Sequence, residues 1–192
     1  MSTMTQHLQF GLAVLLAFAT CQSLRLGAAE PPRVADEYEL KAAFLFNLAK
    51  FVRWPAAKFA GEDSPLVVGV RGEEALERFA RVLRDKAIDK HKIQIKSLSQ
   101  LEDLPGCHVL FLSRSEKESA ARWLEALKNA GALTVGETPE FLQQGGMVQF
   151  ELESGQLRLE INEQRTREAG LNIMANALST LVNKGIARIK KF

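Results

Sequence analysis

Apolar and polar positions follow two different periods along this chain, and the switches between them mark its elements. From Lys41 to Pro55 (KAAFLFNLAKFVRWP) apolar residues recur at helical spacing. With Lys41 set at 0° and about 100° per residue, Leu40, Phe44, Leu45, Leu48, Phe51 and Val52 fall in one stripe, the expected core face. Phe46 and Trp54 fall on the other side, among Glu39, Asn47, Lys50 and Arg53. Aromatic rings on a polar face are expected to meet either a second layer of the domain or a partner. Lys41 interrupts the apolar stripe; its stem is expected to pack while its ammonium reaches water.

Beyond this helix the pattern alternates between strand and helix. Leu66–Val70 is a short apolar strand, and Glu73–Arg84 carries Leu76, Phe79, Ala80 and Leu83 at helical spacing. Lys92–Leu98 alternates and reads as a half-exposed strand near an edge, whereas His108–Leu112 is continuously apolar and suits a central one. Ser115–Asn129 is predicted as a helix with a capping box at Ser115–Glu118 and Gly131 as its stop. Ala132–Val135 is a strand, and Thr138-Pro139 is expected to open a short helix ending at Gly145. Met147–Leu152 and Leu157–Ile161 form a hairpin around Glu153-Ser-Gly-Gln156. Asn162 caps a long final helix with Leu171, Met174, Leu178 and Leu181 facing the sheet. The expected fold is therefore α/β. It is a single-domain sandwich, with a mixed, mostly parallel sheet flanked by helices and a C-terminal hairpin plus long helix.

Residues 1–29 are expected to be a signal peptide, with the α/β domain occupying 30–192. Phe10–Thr20 (FGLAVLLAFAT) is too short to span a bilayer but has the length of a signal core. Small residues at Gly27 and Ala29 allow cleavage before Glu30, and a second site lies after Ala19. The expected location is periplasmic. With 25 Lys and Arg against 23 Asp and Glu, the chain has no basic block that would favour nucleic acid. After cleavage at 29 Cys107 is the one remaining cysteine, expected as a buried thiol.

Candidate chemistry is sparse. His91 reads as a solvated loop residue, and Cys107-His108 point to opposite faces of a strand, so no metal site is expected. No cofactor motif is present: the glycines build neither a dinucleotide fingerprint nor a P-loop. Ser113-Arg114-Ser115 ends a strand and precedes a helix, where α/β proteins hold ligands, so Ser113, Arg114 and Gly136 form a candidate ligand pocket. No nucleophile elbow surrounds Ser113, and catalytic residues are not assigned.

Four stretches carry a resemblance. KAAFLFNLAKFVRWP, Cys107–Leu112, the Leu133–Val148 run with Phe141 and Gly145-Gly146, and Leu159–Asn162 leading to Ala169-Gly170-Leu171 together resemble the YfiR-like family of periplasmic regulators. The resemblance implies a non-enzymatic repressor that docks onto the periplasmic domain of an inner-membrane diguanylate cyclase or kinase. It further implies that an outer-membrane lipoprotein can sequester the repressor, and a homodimer is compatible with it. A small-ligand sensor acting on a membrane kinase or cyclase is the alternative. From the helical angles, Phe46, Lys50, Arg53 and Trp54 are the expected partner-binding residues, with Ile173 opposite the core stripe of the last helix. Relatives in this family bridge the Cys107 strand to the first strand by a disulfide. Leu66–Val70 has no cysteine, so control through that bridge is not expected here.

Overall fold

The computed structural model describes residues 34–128 and 130–191; the expected signal peptide lies outside them. The chain opens with helix α1 (Val34–Ala49) and a two-residue strand β1 (Val52–Arg53). Next come β2 (Leu66–Arg71), α2 (Glu73–Leu83), β3 (Ala87–Ile88), β4 (His91–Ser97), β5 (Val109–Leu112) and α3 (Ala120–Ala126). They are followed by β6 (Leu133–Gly136), β7 (Val148–Glu153), β8 (Gln156–Asn162), α4 (Glu163–Glu168), β9 (Asn172–Ile173), α5 (Ala175–Asn183) and β10 (Ala187–Lys190).

Eight strands form one sheet in the order β10-β8-β7-β6-β5-β2-β4-β3. The run β4-β2-β5-β6-β7 is parallel, and the β7–β8 hairpin and the β3 edge are antiparallel. This is the mixed, mostly parallel α/β sheet the pattern called for. Its centre is β5, buried at every position because helices cover both faces. On one face α1, α2 and α5 bury Leu45, Leu48, Phe79, Leu83 and Leu178 against Val68, Phe111 and Val135. On the other face α3 brings Trp123 and Leu124 onto Leu110, Leu112 and Phe141. Each such fully buried side chain contributes about 1.5–3 kcal/mol relative to exposure.

Several elements differ from the sequence expectation, each for a physical reason. Helix α1 stops at Ala49 because Val52 and Arg53 pair with Ile173 and Asn172 as a short antiparallel ladder. The Phe51 carbonyl then accepts from the Met174 amide at 2.9 Å, so the chain is drawn off the helical path six residues before Pro55. The buried sector of α1 is also turned: Tyr38, Lys41, Ala42, Leu45, Leu48 and Ala49 are buried, while Leu40 is 40% exposed and Phe44 is half-buried. Lys41 is buried, ammonium included, contrary to the snorkelling expectation.

The long last helix is broken. Gly170 adopts φ +73, with its amide donating to the Arg167 carbonyl and Leu171 N–H to the Thr166 carbonyl. That is a Schellman ending, and it terminates α4 at Glu168. Chain direction changes there, so Ile173 lies buried in β9 rather than on the outer side of a helix. Asn162 does cap α4, its Oδ1 accepting from Arg165 N–H at 3.0 Å. The predicted Ser115–Asn129 helix begins instead as a 3-10 turn over Arg114–Ser119, because Ser113 and Ser115 spend their hydroxyls on each other at 2.7 Å. Thr138–Gly145 forms successive turns rather than a helix. Strand β10, unforeseen, pairs parallel to β8 and becomes an edge.

Candidate functional site

Helix α1 runs antiparallel to the central strands, so its first turns reach their carboxyl ends and its last residues reach their amino ends. At the carboxyl ends, β5 delivers Ser113 and Arg114 and β6 delivers Gly136 followed by Glu137. Spacing of four residues on α1 puts Glu37 and Lys41 on one face above them. Lys41 Nζ donates to Glu37 Oε1 at 2.5 Å and to Glu137 Oε2. Glu137 also accepts from Tyr38 O–H at 2.8 Å, from the Arg114 amide at 2.6 Å and from Arg114 Nη2 at 3.2 Å. Arg114 Nη2 closes the ring onto Glu37 Oε1 at 2.5 Å.

Two carboxylates thus face two cations in a buried cluster, with Glu137's side chain only 1% exposed. Burial pushes the Glu137 carboxyl upward, but Lys41, Tyr38 and the Arg114 amide outweigh it and hold it below the ordinary carboxylate range. Burial, then the Glu137 charge, raises the Tyr38 hydroxyl well above its usual value, so it stays a donor. An open cleft of about 350 Å³ touches this cluster, lined by Lys41, Arg114, Glu137, Thr138, Phe150 and Leu152 among others. A second, of about 960 Å³, lies between the Gly72 turn and Ser113–Glu116.

Of the candidate pocket residues, Arg114 lines both clefts and is more than half exposed along its side chain. Ser113 is buried and bonded to Ser115, so it offers no free hydroxyl. Gly136 is buried as well: the Phe141 ring occupies the space where its Cβ would stand. The chemistry at that strand end belongs to Glu137, which the sequence reading passed over together with Glu37 and Tyr38. Tyr38 and Lys41 stand three residues apart at the start of α1, but the carboxylate they meet is nearly a hundred residues away.

At the amino ends of the strands the surroundings are aromatic. Phe59 stacks on His91 at 4.0 Å and leans on His108 at 4.4 Å, and Trp54 meets His108 edge-on. Trp54 Nε1 donates to the His108 carbonyl at 3.2 Å, and Val67 N–H donates to His108 Nδ1 at 3.1 Å. His108 must therefore be neutral with its proton on Nε2, an atom that is buried without a partner among the described residues. Burial first, then Lys58 and His91, lowers its pKa to about 4. His91 is not a solvated loop residue: it opens β4, half-buried, with Nδ1 2.7 Å from the Ser64 carbonyl. Cys107 is a free, buried thiol whose pKa burial raises.

The expected partner residues are partly scattered by the end of α1. Phe46 is taken up by its own neighbours: the ammoniums of Lys50, just past α1, and of Lys86, just past α2, lie 4.1 Å and 5.2 Å from its ring centroid. Trp54 is half-buried over His108, and Ile173 is core. Lys50 and Arg53 remain exposed, and β1–β9 pairing sets Arg53 beside Asn172 with its guanidinium 4.0 Å from Met174 Sδ. Among the described residues, no three His, Cys, Asp or Glu side chains converge as metal ligands, and no helix is long and apolar enough to cross a membrane.

Residues 38–180 match the family described as YfiR/HmsC-like. The chain belongs to this family. YfiR/HmsC-like proteins are periplasmic regulators, a regulatory rather than a catalytic family. The match begins at Tyr38, which donates to Glu137 in the ion cluster, and encloses every residue of that cluster except Glu37. No curated protein sequence matches the chain. Among solved structures, it is similar to a conserved domain protein from Vibrio cholerae O1 biovar El Tor strain N16961. That match has 12% identity and a TM-score of 0.52, covering 80% of this chain and 60% of that one. It is also similar to an ABC domain from Streptococcus pneumoniae in complex with L-Trp, at 7% identity and a TM-score of 0.50, covering 74% of this chain and 58% of that one. The chain thus spans about three fifths of each of these solved chains, and at such identities the likeness is one of fold.

Proposed function

We propose that this YfiR/HmsC-like protein is exported to the periplasm and represses a membrane-bound diguanylate cyclase by protein–protein contact. The observation that carries this reading is the exposed pair Lys50 and Arg53, just past α1 and on β1, beside half-buried aromatic rings. Arginine with aromatic neighbours is the usual make-up of interface anchors. A brake of this kind must bind the inactive form of its target more tightly. Reversing a strongly opposed equilibrium takes about 5.5 kcal/mol of differential affinity. Sequestration by an outer-membrane lipoprotein, or self-association, would compete for the same free protein.

A second reading is a periplasmic small-ligand sensor acting on a membrane kinase or cyclase. The clefts at the strand ends favour it, as does the L-Trp held by one protein of similar fold. Against it, the cluster's charges already satisfy one another, so an ionic ligand there would have to break buried pairs, a cost of several kcal/mol. Deleting the gene in the native host and measuring cyclic di-GMP tests the brake. A rise reversed by the full chain, but not by a version lacking residues 2–29, is the expected result; unchanged cyclic di-GMP sinks the reading.

A further inference from the structure

Between β1 and β2 the chain lies at the amino ends of the strands as a strap, residues 54–65, and none of its residues is fully buried. Among the described residues, its backbone-to-backbone hydrogen bonds stay within it: Lys58 to Pro55, Phe59 to Ala56 and Ser64 to Gly61. Side chains hold it down instead. Trp54 Nε1 donates to the His108 carbonyl, Lys58 Nζ donates to the Ala130 carbonyl at 2.7 Å, and the Ser64 carbonyl faces His91 Nδ1. Glu62 pairs with Lys90 at the exposed side, and the Phe59 ring touches both imidazoles.

A proton acts differently on those two imidazoles. The Ser64 carbonyl can only accept, so His91 already carries a proton on Nδ1; a second one enters at Nε2 and leaves that bond in place. His108 is the reverse case. Its Nδ1 accepts from the Val67 amide, so the ring's one proton sits on Nε2 and a second can enter only at Nδ1. There it would meet an N–H, donor against donor, and the ring must leave Val67.

The main chain of His108 cannot follow. Its amide donates to the Val67 carbonyl at 2.9 Å, and its carbonyl accepts from Leu133 N–H at 2.8 Å. Around the ring, Lys58 on the strap and His91 on β4 both oppose the added charge, as burial does, and the Gly106 and Lys58 carbonyls favour it by less. Lys96 and Asp103 act on the neighbouring Cys107 thiol. The rings that cover His108, Trp54 and Phe59, both belong to the strap.

We propose that the 54–65 strap is a latch, released when His108 takes up a proton while the sheet and its helices stay folded. Opening gives the imidazolium water and brings the Trp54 and Phe59 rings to the surface. Under the strap the pKa of His108 is about 4 against an ordinary 6.5, so the open form binds the proton about 300-fold more tightly. That factor is the most by which acid can shift the closed–open equilibrium. Trp54 adjoins Arg53, so release would also rebuild the contact surface proposed above. The latch itself does not rest on that reading.

The test is fluorine NMR of the purified protein carrying fluorotryptophan, titrated from about pH 7 to about pH 4. Trp54 reports on the strap and the buried Trp123 of α3 on the core; Trp54→Phe assigns the two signals. The Trp54 signal is expected to shift reversibly, in step with the His108 ring followed in carbon-labelled histidine, while Trp123 holds. In His108→Gln, whose amide oxygen can accept from Val67 but takes no proton, the shift should vanish. Trp54 and Trp123 moving together, Trp54 unmoved at about pH 4, Trp54 moving without His108, or a shift that survives His108→Gln each overturns the latch. Should His108→Gln not fold, the paired titration of Trp54 and His108 in the unsubstituted protein decides.

Discussion

The two ends of the central strands solve the same burial problem in opposite ways. At the carboxyl ends, α1 and the strands bring Glu37, Lys41 and Glu137 under cover and each finds an opposite charge, with the half-exposed Arg114 completing the set from the cleft side. At the amino ends, Trp54 and Phe59 cover His108, with His91 stacked on Phe59, and His108 is kept neutral with no counter-ion among the described residues. One end is held by charges that stabilise only as a complete set. The other is held by a ring that is stable only while uncharged. Removing a member should therefore damage the first end, and adding a proton should damage the second.

The largest effect is expected from Lys41→Met, which leaves two buried carboxylates sharing Arg114. Urea unfolding should show a loss of about 3–5 kcal/mol, part of it recovered in Lys41→Met/Glu137→Gln. An effect below about 1 kcal/mol would mean the cluster is hydrated and the contrast false. Acid is the probe for the amino end. Unfolded chain takes up a proton on His108 near pH 6.5, folded chain only near 4. Between those values the unfolded form binds more protons, so stability is full above about pH 6.5, declines toward pH 4 and then levels off for this group, a loss of up to roughly 3 kcal/mol. His108→Gln should flatten that window. Glu137, held low, acts further down: its contribution is lost only as pH falls below the carboxylate range through its lowered value.

A third variant would convert the amino end from packed to covalent. A Cβ built on Gly69 stands 3.0 Å from Cys107 Sγ, roughly the separation across a disulfide. Leu98 Cδ1, at 2.7 Å from that Cβ, would have to turn aside. Gly69→Cys is expected to lose both free thiols on oxidation and to gain about 2 kcal/mol; thiols that persist would show that Leu98 does not yield. The smallest effect is Trp54→Phe, which strips the donor from the His108 carbonyl and should cost about 1 kcal/mol in the same unfolding assay.

Much of the fold was legible because strand signals are local. The continuous apolar run Val109–Leu112 placed the central strand, and Ser154-Gly155, both at positive φ, made the hairpin readable. Asn162 announced its cap. Gly170 could also have been read: a glycine before Leu171 is a C′ signal, yet the apolar spacing beyond it suggested one continuous helix. The candidate site was less legible. Helical angles assume that the stripe centre is apolar, whereas the burial of α1 centres on a side that includes Lys41. That burial depends on Glu137 and Arg114, and no local pattern names an ion partner 96 residues away. The family signature reached the regulatory class because it draws on all four stretches at once.

Lys41 also orders the chain in time. The ribosome releases the first helix early, but Arg114 follows Glu37 by 77 positions and Glu137 follows Lys41 by 96. Until that late glutamate has been made, the helix can rest on its apolar side but cannot close its ionic one. Such long sequence separation slows folding and prolongs the life of half-formed states. The nascent protein would thus offer Tyr38, Leu45 and Leu48 to holding chaperones or proteases for most of its synthesis, and a ribosome stalled before codon 137 would release a product whose leading helix has nothing to lock against.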